Sequence, residues 1–120
     1  MTDYNEAIRI EPSAALAYSN RGEARLRKRD MTGAIEDFTN AIKFDPKLAI
    51  AYGNRGFAYY RMRDIPHAIA DYNEQIRLAP GRSLISYLNR GNAYRDCEQL
   101  DRAVNDYAEV IRLAPTDARG

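Results

Sequence analysis

The sequence is poor in the residues that most often support catalysis, metal binding or membrane insertion. It contains one cysteine, Cys97, one histidine, His67, and no tryptophan. A single cysteine excludes an internal disulfide framework and a thiolate-cluster metal site. No stretch approaches the roughly 18 consecutive apolar residues of a membrane-spanning helix, and the first residues lack the layout of a secretory signal. We therefore expect no cofactor, no metal, no membrane association and a cytoplasmic location.

An excess of charge of one sign is also missing. The 18 lysines and arginines are balanced by 17 acidic residues, which leaves a net charge of +1. This balance argues against nucleic acid as a partner, because nucleic-acid binding draws on a basic surplus. At 120 residues, with 45% hydrophobic and 29% charged residues, the chain is long enough for one modest globular domain.

A repeat of about 34 residues occupies nearly the whole chain. The tripeptide Asn-Arg-Gly occurs at 20–22, 54–56 and 89–91, each time two residues after a tyrosine and two before an alanine. Closing prolines are spaced 34, 34 and 35 residues apart, at Pro12, Pro46, Pro80 and Pro115. A fixed period of this length indicates a repeat architecture.

Each unit is predicted to form two helices, A and B. Small and large apolar residues recur at helical spacing, and each closing proline ends a B helix because it has no N–H to continue it. The predicted A helices span 14–29, 49–63 and 84–98, and the predicted B helices span 31–45, 64–78 and 99–113. Pro66 fits this scheme because proline is tolerated in the first turn of a helix.

These features resemble the tetratricopeptide repeat family, in the period, the early aromatic, the Gly-x-Ala of helix A, the Ala and Phe/Tyr of helix B and the final proline. The resemblance implies an all-α fold, a right-handed α-solenoid of stacked antiparallel hairpins with about seven helices. Its units would be the second helix of a truncated repeat at 1–12, followed by repeats at 15–48, 49–82 and 84–117, and we expect a fragment of a longer array. Arginine replaces the usual leucine at positions 21, 55 and 90, and Gln75 and Val110 replace an alanine.

Enzymatic chemistry finds little support in the sequence. His67 falls at the start of a predicted B helix and Cys97 near the end of a predicted A helix. No phosphate loop, nucleophile elbow or His-Glu-x-x-His motif is present. A lone histidine at a helix end is more often a surface or capping residue than a base. We expect no catalytic residue and no enzyme activity.

A peptide-binding groove is the functional expectation. The repeat stacks the A helices along a concave wall, which would place Asn20, Asn54 and Asn89 in a column. A carboxamide both donates and accepts, so it can pair with a peptide backbone whatever the side chains are, and the column resembles the asparagine ladder of O-GlcNAc transferase repeats. The alternative is that these asparagines bond to a neighbouring helix or to solvent.

Further side chains are predicted to line this groove. Phe57 and Tyr60 are the aromatic anchors, unless they are buried against an adjacent A helix. The rest of the set comprises polar and basic A-helix residues, namely Glu23, Asn92, Arg27, Arg61 and Arg95. The predicted A helices carry charges of +4, +3 and 0, which favours an acidic protein or peptide ligand, although cations also suit a solvated helix C-terminus.

Two further expectations concern charge. Arg21, Arg55 and Arg90 recur with Asp37, Asp71 and Asp106, with Asp3 continuing the series, and we predict ion pairs between helices. The family's carboxylate clamp for chaperone tails needs Lys, Asn, Asn, Lys and Arg, whereas those places here hold Ser19, Glu23, Asn54, Ile85 and Asn89. One match in five argues against that ligand.

The sequence thus favours a non-catalytic interaction module or scaffold that binds an extended peptide or a helix of a partner in a concave groove. The alternative is a structural segment that self-assembles. Solenoid units contact only their neighbours, so the apolar side of residues 100–113 is predicted to be exposed and able to form a homo-oligomer.

Overall fold

The computed structural model describes residues 14–114, apart from the side chain of Arg82. This part of the chain forms six α-helices and contains no strand. The helices are α1 (Ala14–Arg27), α2 (Met31–Phe44), α3 (Ala49–Arg61), α4 (Ile65–Leu78), α5 (Leu84–Asp96) and α6 (Leu100–Leu113), with a 3₁₀ turn at Pro80–Arg82. The seventh helix expected within 1–12, like Asp3, lies outside the described residues.

The helices form three hairpins that stack side by side. Each odd-numbered helix packs against the next even-numbered one, and α2 and α4 then pack against α3 and α5 of the following hairpin. Contacts also join α1 to α3 and α3 to α5. The fold is therefore an all-α solenoid in which the A helices α1, α3 and α5 share one wall.

Close approach within each hairpin depends on a glycine that faces an aromatic ring. A Cβ atom at Gly22 would lie 2.7 Å from Phe38 Cε1, and one at Gly91 would lie 2.9 Å from Tyr107 Cε1. Phe38 is fully buried beside Ala34, Ala41 and Ala51. The small residues therefore let the two backbones approach while the aromatic ring fills the space between them.

The A helices end two residues earlier than the sequence predicts. Arg29, Arg63 and Glu98 have left-handed backbone conformations, with φ of 66°, 68° and 65°. At the first turn, Asp30 N–H donates to the Arg25 carbonyl (2.8 Å) and Arg29 N–H donates to the Leu26 carbonyl (2.9 Å). This is the Schellman pattern, which ends the helix by turning the chain back over its last carbonyls. The pattern usually uses glycine, so these non-glycine residues gave no sequence signal for the stop.

Capping at the B helices differs between units. Asp30 accepts a hydrogen bond from Gly33 N–H, and Asp64 accepts one from His67 N–H. Gln99 holds the same position before α6, with no side-chain cap. His67 thus lies in a capped first turn, where its Nδ1 is 2.8 Å from Asp64 Oδ2.

The predicted arginine–aspartate pairs are confirmed, and each joins the two helices of one hairpin. The Nε and Nη2 atoms of Arg21, Arg55 and Arg90 donate to both carboxylate oxygens of the paired aspartate, at 2.7–3.0 Å. These hydrogen bonds raise the pKa of each arginine and outweigh the opposing effect of desolvation.

Two of these arginines also reach the preceding unit. Arg55 Nη1 donates to Thr39 Oγ1 (3.2 Å), and Arg90 Nη1 donates to Asn73 Oδ1 (2.7 Å). Leucine, the usual residue of the family at this position, could form neither contact. Arg55 and Arg90 therefore each connect three helices, namely the two helices of their own hairpin and the B helix of the preceding unit.

Candidate functional site

Two adjoining cavities lie along the wall formed by the A helices. One lies between α1 and α3 and has a volume of about 410 Å³, and the other, between α3 and α5, has a volume of about 310 Å³. Both are lined by Asn54 and Phe57 of α3. The middle helix therefore presents these two side chains to both cavities, which together are called the groove below.

The first cavity combines opposite charges with an apolar base. Glu23, Leu26 and Arg27 of α1 face Asn54 and Phe57 of α3. Asn54 Nδ2 donates to Glu23 Oε2 at 3.1 Å, which is the helix-to-helix bond that the sequence left open as the alternative for this asparagine. The bond occupies an amide hydrogen and leaves Asn54 Oδ1 as an acceptor.

The second cavity is uncharged. It is lined by Asn54, Phe57, Ile85 and Asn89 together with Gly53, Gln75 and Ser86. A methyl group at Gly53 would collide with the Gln75 carboxamide, and Ser86 Oγ donates to Gln75 Oε1. The replacement of an alanine by Gln75 is thus accommodated by the missing side chain at Gly53, and it brings an amide to the groove.

The three asparagines differ in their surroundings. Asn20 is exposed and lines neither cavity, whereas Asn54 and Asn89 are half-buried and line the second cavity together. Within residues 14–114, the side chains of Asn20 and Asn89 make no hydrogen bond, in contrast to Asn54. Their amide groups are therefore open to an external partner.

Tyr60 is bound to a neighbouring helix. Its hydroxyl donates to Asp96 Oδ2 of α5 at 2.6 Å, and Arg63 Nη1 lies 3.6 Å from the same oxygen. The hydrogen bond raises the pKa of Tyr60 and lowers the pKa of Asp96. This contact joins α3 to α5 at one end of the wall. Tyr60 is half-buried and lines neither cavity.

Two tetratricopeptide repeat models match the sequence. One, described as TPR repeat, matches residues 30–62, and the other, described as Tetratricopeptide repeat, matches residues 49–82 and 84–117. The chain belongs to the tetratricopeptide repeat (TPR) family. The comparison with curated proteins gives no match.

Several solved structures share this fold. The first TPR of Spaghetti (RPAP3), bound to the HSP90 peptide SRMEEVD, is 26% identical with a TM-score of 0.84, over 89% of this chain and 84% of that one. MamA is 25% identical with a TM-score of 0.86, over 98% of this chain and 68% of that one. The TPR domain of Arabidopsis OM64, at 23% identity and a TM-score of 0.83 over 87% and 85% of the two chains, shares the fold.

The remaining predicted residues of the TPR groove lie outside both cavities. Asn92 Oδ1 accepts a hydrogen bond from the Tyr107 hydroxyl at 2.6 Å, within the third hairpin. Arg95 is exposed and lies 3.3 Å from Asp96. Arg61 is exposed, with its guanidinium 5.8 Å from the centre of the Phe57 ring. Arg61 is thus beside the groove, in contact with the Phe57 ring. Asn92 and Arg95 instead contact Tyr107 and Asp96.

Basic side chains mark the A-to-B turns of the first two TPR units. Arg27, Lys28, Arg29, Arg61 and Arg63 are all exposed there, and Arg27 also lines the first cavity. The third unit has Asp96 and Glu98 at these places, so positive charge is concentrated at one end of the groove.

Sequence reasoning missed Gly53, Gln75 and Ser86 as groove residues. A signal was present, because Gly53 and Gln75 are unusual at their repeat positions in the same unit. A glycine on helix A opposite a residue on helix B that is larger than the usual alanine indicates that the two positions compensate each other in volume. Among residues 14–114, no group of His, Cys, Asp or Glu side chains is placed to hold a metal ion, and no helix is long and apolar enough to cross a bilayer.

Proposed function

We propose that the groove along α1, α3 and α5 binds an extended, acidic segment of a partner protein. The observation that supports this proposal is the pair of adjoining cavities that share Asn54 and Phe57. An extended chain advances about 3.3 Å per residue, and packed helices lie about 8–10 Å apart. A ligand in this groove would therefore meet a new A helix about every third residue.

Recognition of the backbone is assigned to the asparagines. Because Glu23 holds the Asn54 amide hydrogen, Asn54 Oδ1 is oriented as an acceptor for a peptide N–H before the ligand arrives. Asn89 offers both a donor and an acceptor in the neighbouring cavity. Backbone pairing of this kind selects an extended conformation and tolerates many side chains.

Side-chain preference follows from the two halves of the groove. Phe57 and Ile85 supply apolar surface in the uncharged second cavity, and Arg27 and Arg61 supply positive charge beside Phe57. An acidic side chain would approach Arg27 and Arg61 at the C-terminal ends of α1 and α3, away from Glu23, and an apolar one would lie over Phe57. The charge would act mainly on the association rate, since exposed basic groups steer an acidic ligand.

The HSP90 peptide is not the ligand we propose, although the similar Spaghetti (RPAP3) domain is bound to it. At the places of the carboxylate clamp, Ser19 is buried, Glu23 carries a negative charge and Ile85 is apolar. A C-terminal carboxylate would lose its cationic partners and meet Glu23.

Fluorescence anisotropy with labelled decapeptides tests this proposal. The probe alternates acidic and apolar residues, and a second peptide has the same side chains with alternate backbone nitrogens methylated. We expect Asn54→Ala and Asn89→Ala each to weaken binding of the first peptide about five- to tenfold, as the loss of one hydrogen bond predicts. We expect the methylated peptide to bind poorly to every variant.

Asn40→Ala is the matched control, because Asn40 is a half-buried asparagine on α2, away from the wall. Replacing the acidic residues of the probe with lysine should slow association with the unaltered protein and weaken binding. Equal binding of the acidic and basic peptides, or of the methylated and unmethylated ones, would contradict the proposal.

A further inference from the structure

The outer side of α6 bears an exposed apolar stripe. Leu100, Val104 and Ile111 are 58%, 63% and 75% exposed, and Ala108, which is also exposed, lies between them along the helix. Residues at this spacing lie on one face of a helix. The stripe is therefore a continuous apolar surface about three turns long.

The same face is covered in the first two units. The equivalent residues of α2 are Met31, Ile35 and Ile42, and those of α4 are Ile65, Ile69 and Ile76. All six are half-buried, because α3 packs on α2 and α5 packs on α4. Burial at two equivalent places shows that this face of a B helix is built to contact another helix.

A fourth helix of the same kind as α3 or α5 is a poor occupant of the α6 face. At the junctions between units, Thr39 and Asn73 contact the arginine of the incoming helix. The equivalent residue of α6 is Ala108, which cannot contact an arginine through a polar side chain. The α6 face is thus wholly apolar where the two covered faces have a polar centre.

Charges beside the stripe fit a second α6 helix that runs in the opposite direction. Asp101 and Arg112 are 11 residues apart, about three turns, so both lie on the same solvent-facing flank of the stripe. In an antiparallel pair of identical helices, Asp101 of each copy would lie near Arg112 of the other. The equivalent positions hold Thr32 and Lys43 on α2, and Pro66 and Arg77 on α4. Of the three B helices, α6 alone carries an acidic and a basic residue at these two positions.

We propose that α6 forms an antiparallel, two-fold symmetric interface with α6 of a second copy of this chain. Leu100 would then lie near Ile111 of the other copy, and Val104 near Ala108, with the Asp101–Arg112 pairs along the rim. Such an interface is isologous and closes as a dimer. One 14-residue helix from each copy buries less area than the roughly 1,200–2,000 Å² of a standard interface. The dimer is therefore weak and depends on protein concentration.

Sedimentation equilibrium of the full chain from micromolar to millimolar concentration tests this interface. We expect a monomer–dimer equilibrium, and Val104→Glu should raise its dissociation constant at least about tenfold. Ile85→Glu is the matched control, because Ile85 is also 63% exposed but lies in the groove. Ile85→Glu should leave the sedimentation profile unchanged. Because self-association is measured without peptide and peptide binding is measured separately, either proposal can fail without the other.

A charge exchange tests the antiparallel arrangement without altering the apolar stripe. Asp101→Lys or Arg112→Glu alone places like charges across the rim and should weaken the dimer, whereas the double variant should restore it. A monomer at all concentrations would overturn the proposal, as would a dimer unaffected by Val104→Glu or growth to larger species. If both single variants weaken the dimer and the double variant does not restore it, the antiparallel pairing is refuted.

Discussion

Replacing Arg55 with leucine removes the central connection of the solenoid. The Arg55 and Asp71 side chains are 19% and 6% exposed, and two hydrogen bonds of 2.8 Å join them. Arg55 also donates to Thr39 and lies 5.8 Å from the centre of the Tyr52 ring. The substitution leaves the buried Asp71 carboxylate without its cation and removes the hydrogen bond from α3 to Thr39 of α2.

The cost follows from the burial of the remaining charge. Breaking a buried ion pair by removing one partner costs about 3–5 kcal/mol. The outer edge of Arg55 is accessible to water, so we expect the lower end, about 3 kcal/mol. With a urea m-value of about 2 kcal/mol per molar, the unfolding midpoint should fall by about 1.5 M.

Urea denaturation followed by circular dichroism measures this shift. Arg77→Leu is the control, because Arg77 forms an exposed pair with Glu74 at 2.8 Å and its loss should leave the midpoint unchanged within error. The double variant Arg55→Leu/Asp71→Leu should recover most of the loss, since the unpaired charge is gone. A midpoint that stays constant or rises in Arg55→Leu would refute the view that this pair stabilises the fold.

Two smaller changes should stabilise the protein, and both are measured by the same denaturation. Within the described part of the chain, the buried Tyr72 hydroxyl has no hydrogen-bond partner and burial raises its pKa; Tyr72→Phe should therefore gain about 1 kcal/mol, and a loss would show that the hydroxyl is satisfied. Gln99 has nearly the backbone angles of the capping residue Asp64, so Gln99→Asp should add a cap worth about 1 kcal/mol. Gln99→Ala, which adds no cap, should show no gain.

The helices and their pairing followed from local signals in the sequence. The 34-residue period, the closing prolines and the small residues at helical spacing predicted all six described helices, with B-helix bounds within one residue. The A-helix ends were predicted two residues too late, because Arg29, Arg63 and Glu98 adopt a conformation that favours glycine. Since the hydrogen bonds that stabilise these turns are formed by the backbone, the side chains gave no indication of them.

The groove was predicted less completely than the helices. Asn54, Asn89, Phe57, Glu23 and Arg27 line the two cavities, because the repeat register fixes which residues face the A-helix wall. Register does not determine which neighbours a side chain meets across that wall. Asn92 bonds to Tyr107, Tyr60 bonds to Asp96, and Gln75 reaches the groove over Gly53, and each contact depends on how two helices are offset.

The sequence by itself determined the repeat, the helical hairpins and the recurring arginine–aspartate pairs, since these arise from residues at fixed separations along the chain. Only the tertiary structure decided which amides and rings remain open to a ligand and which face of α6 remains uncovered. Both depend on the stacking of units, where a side chain from one repeat occupies or leaves open the space beside the next.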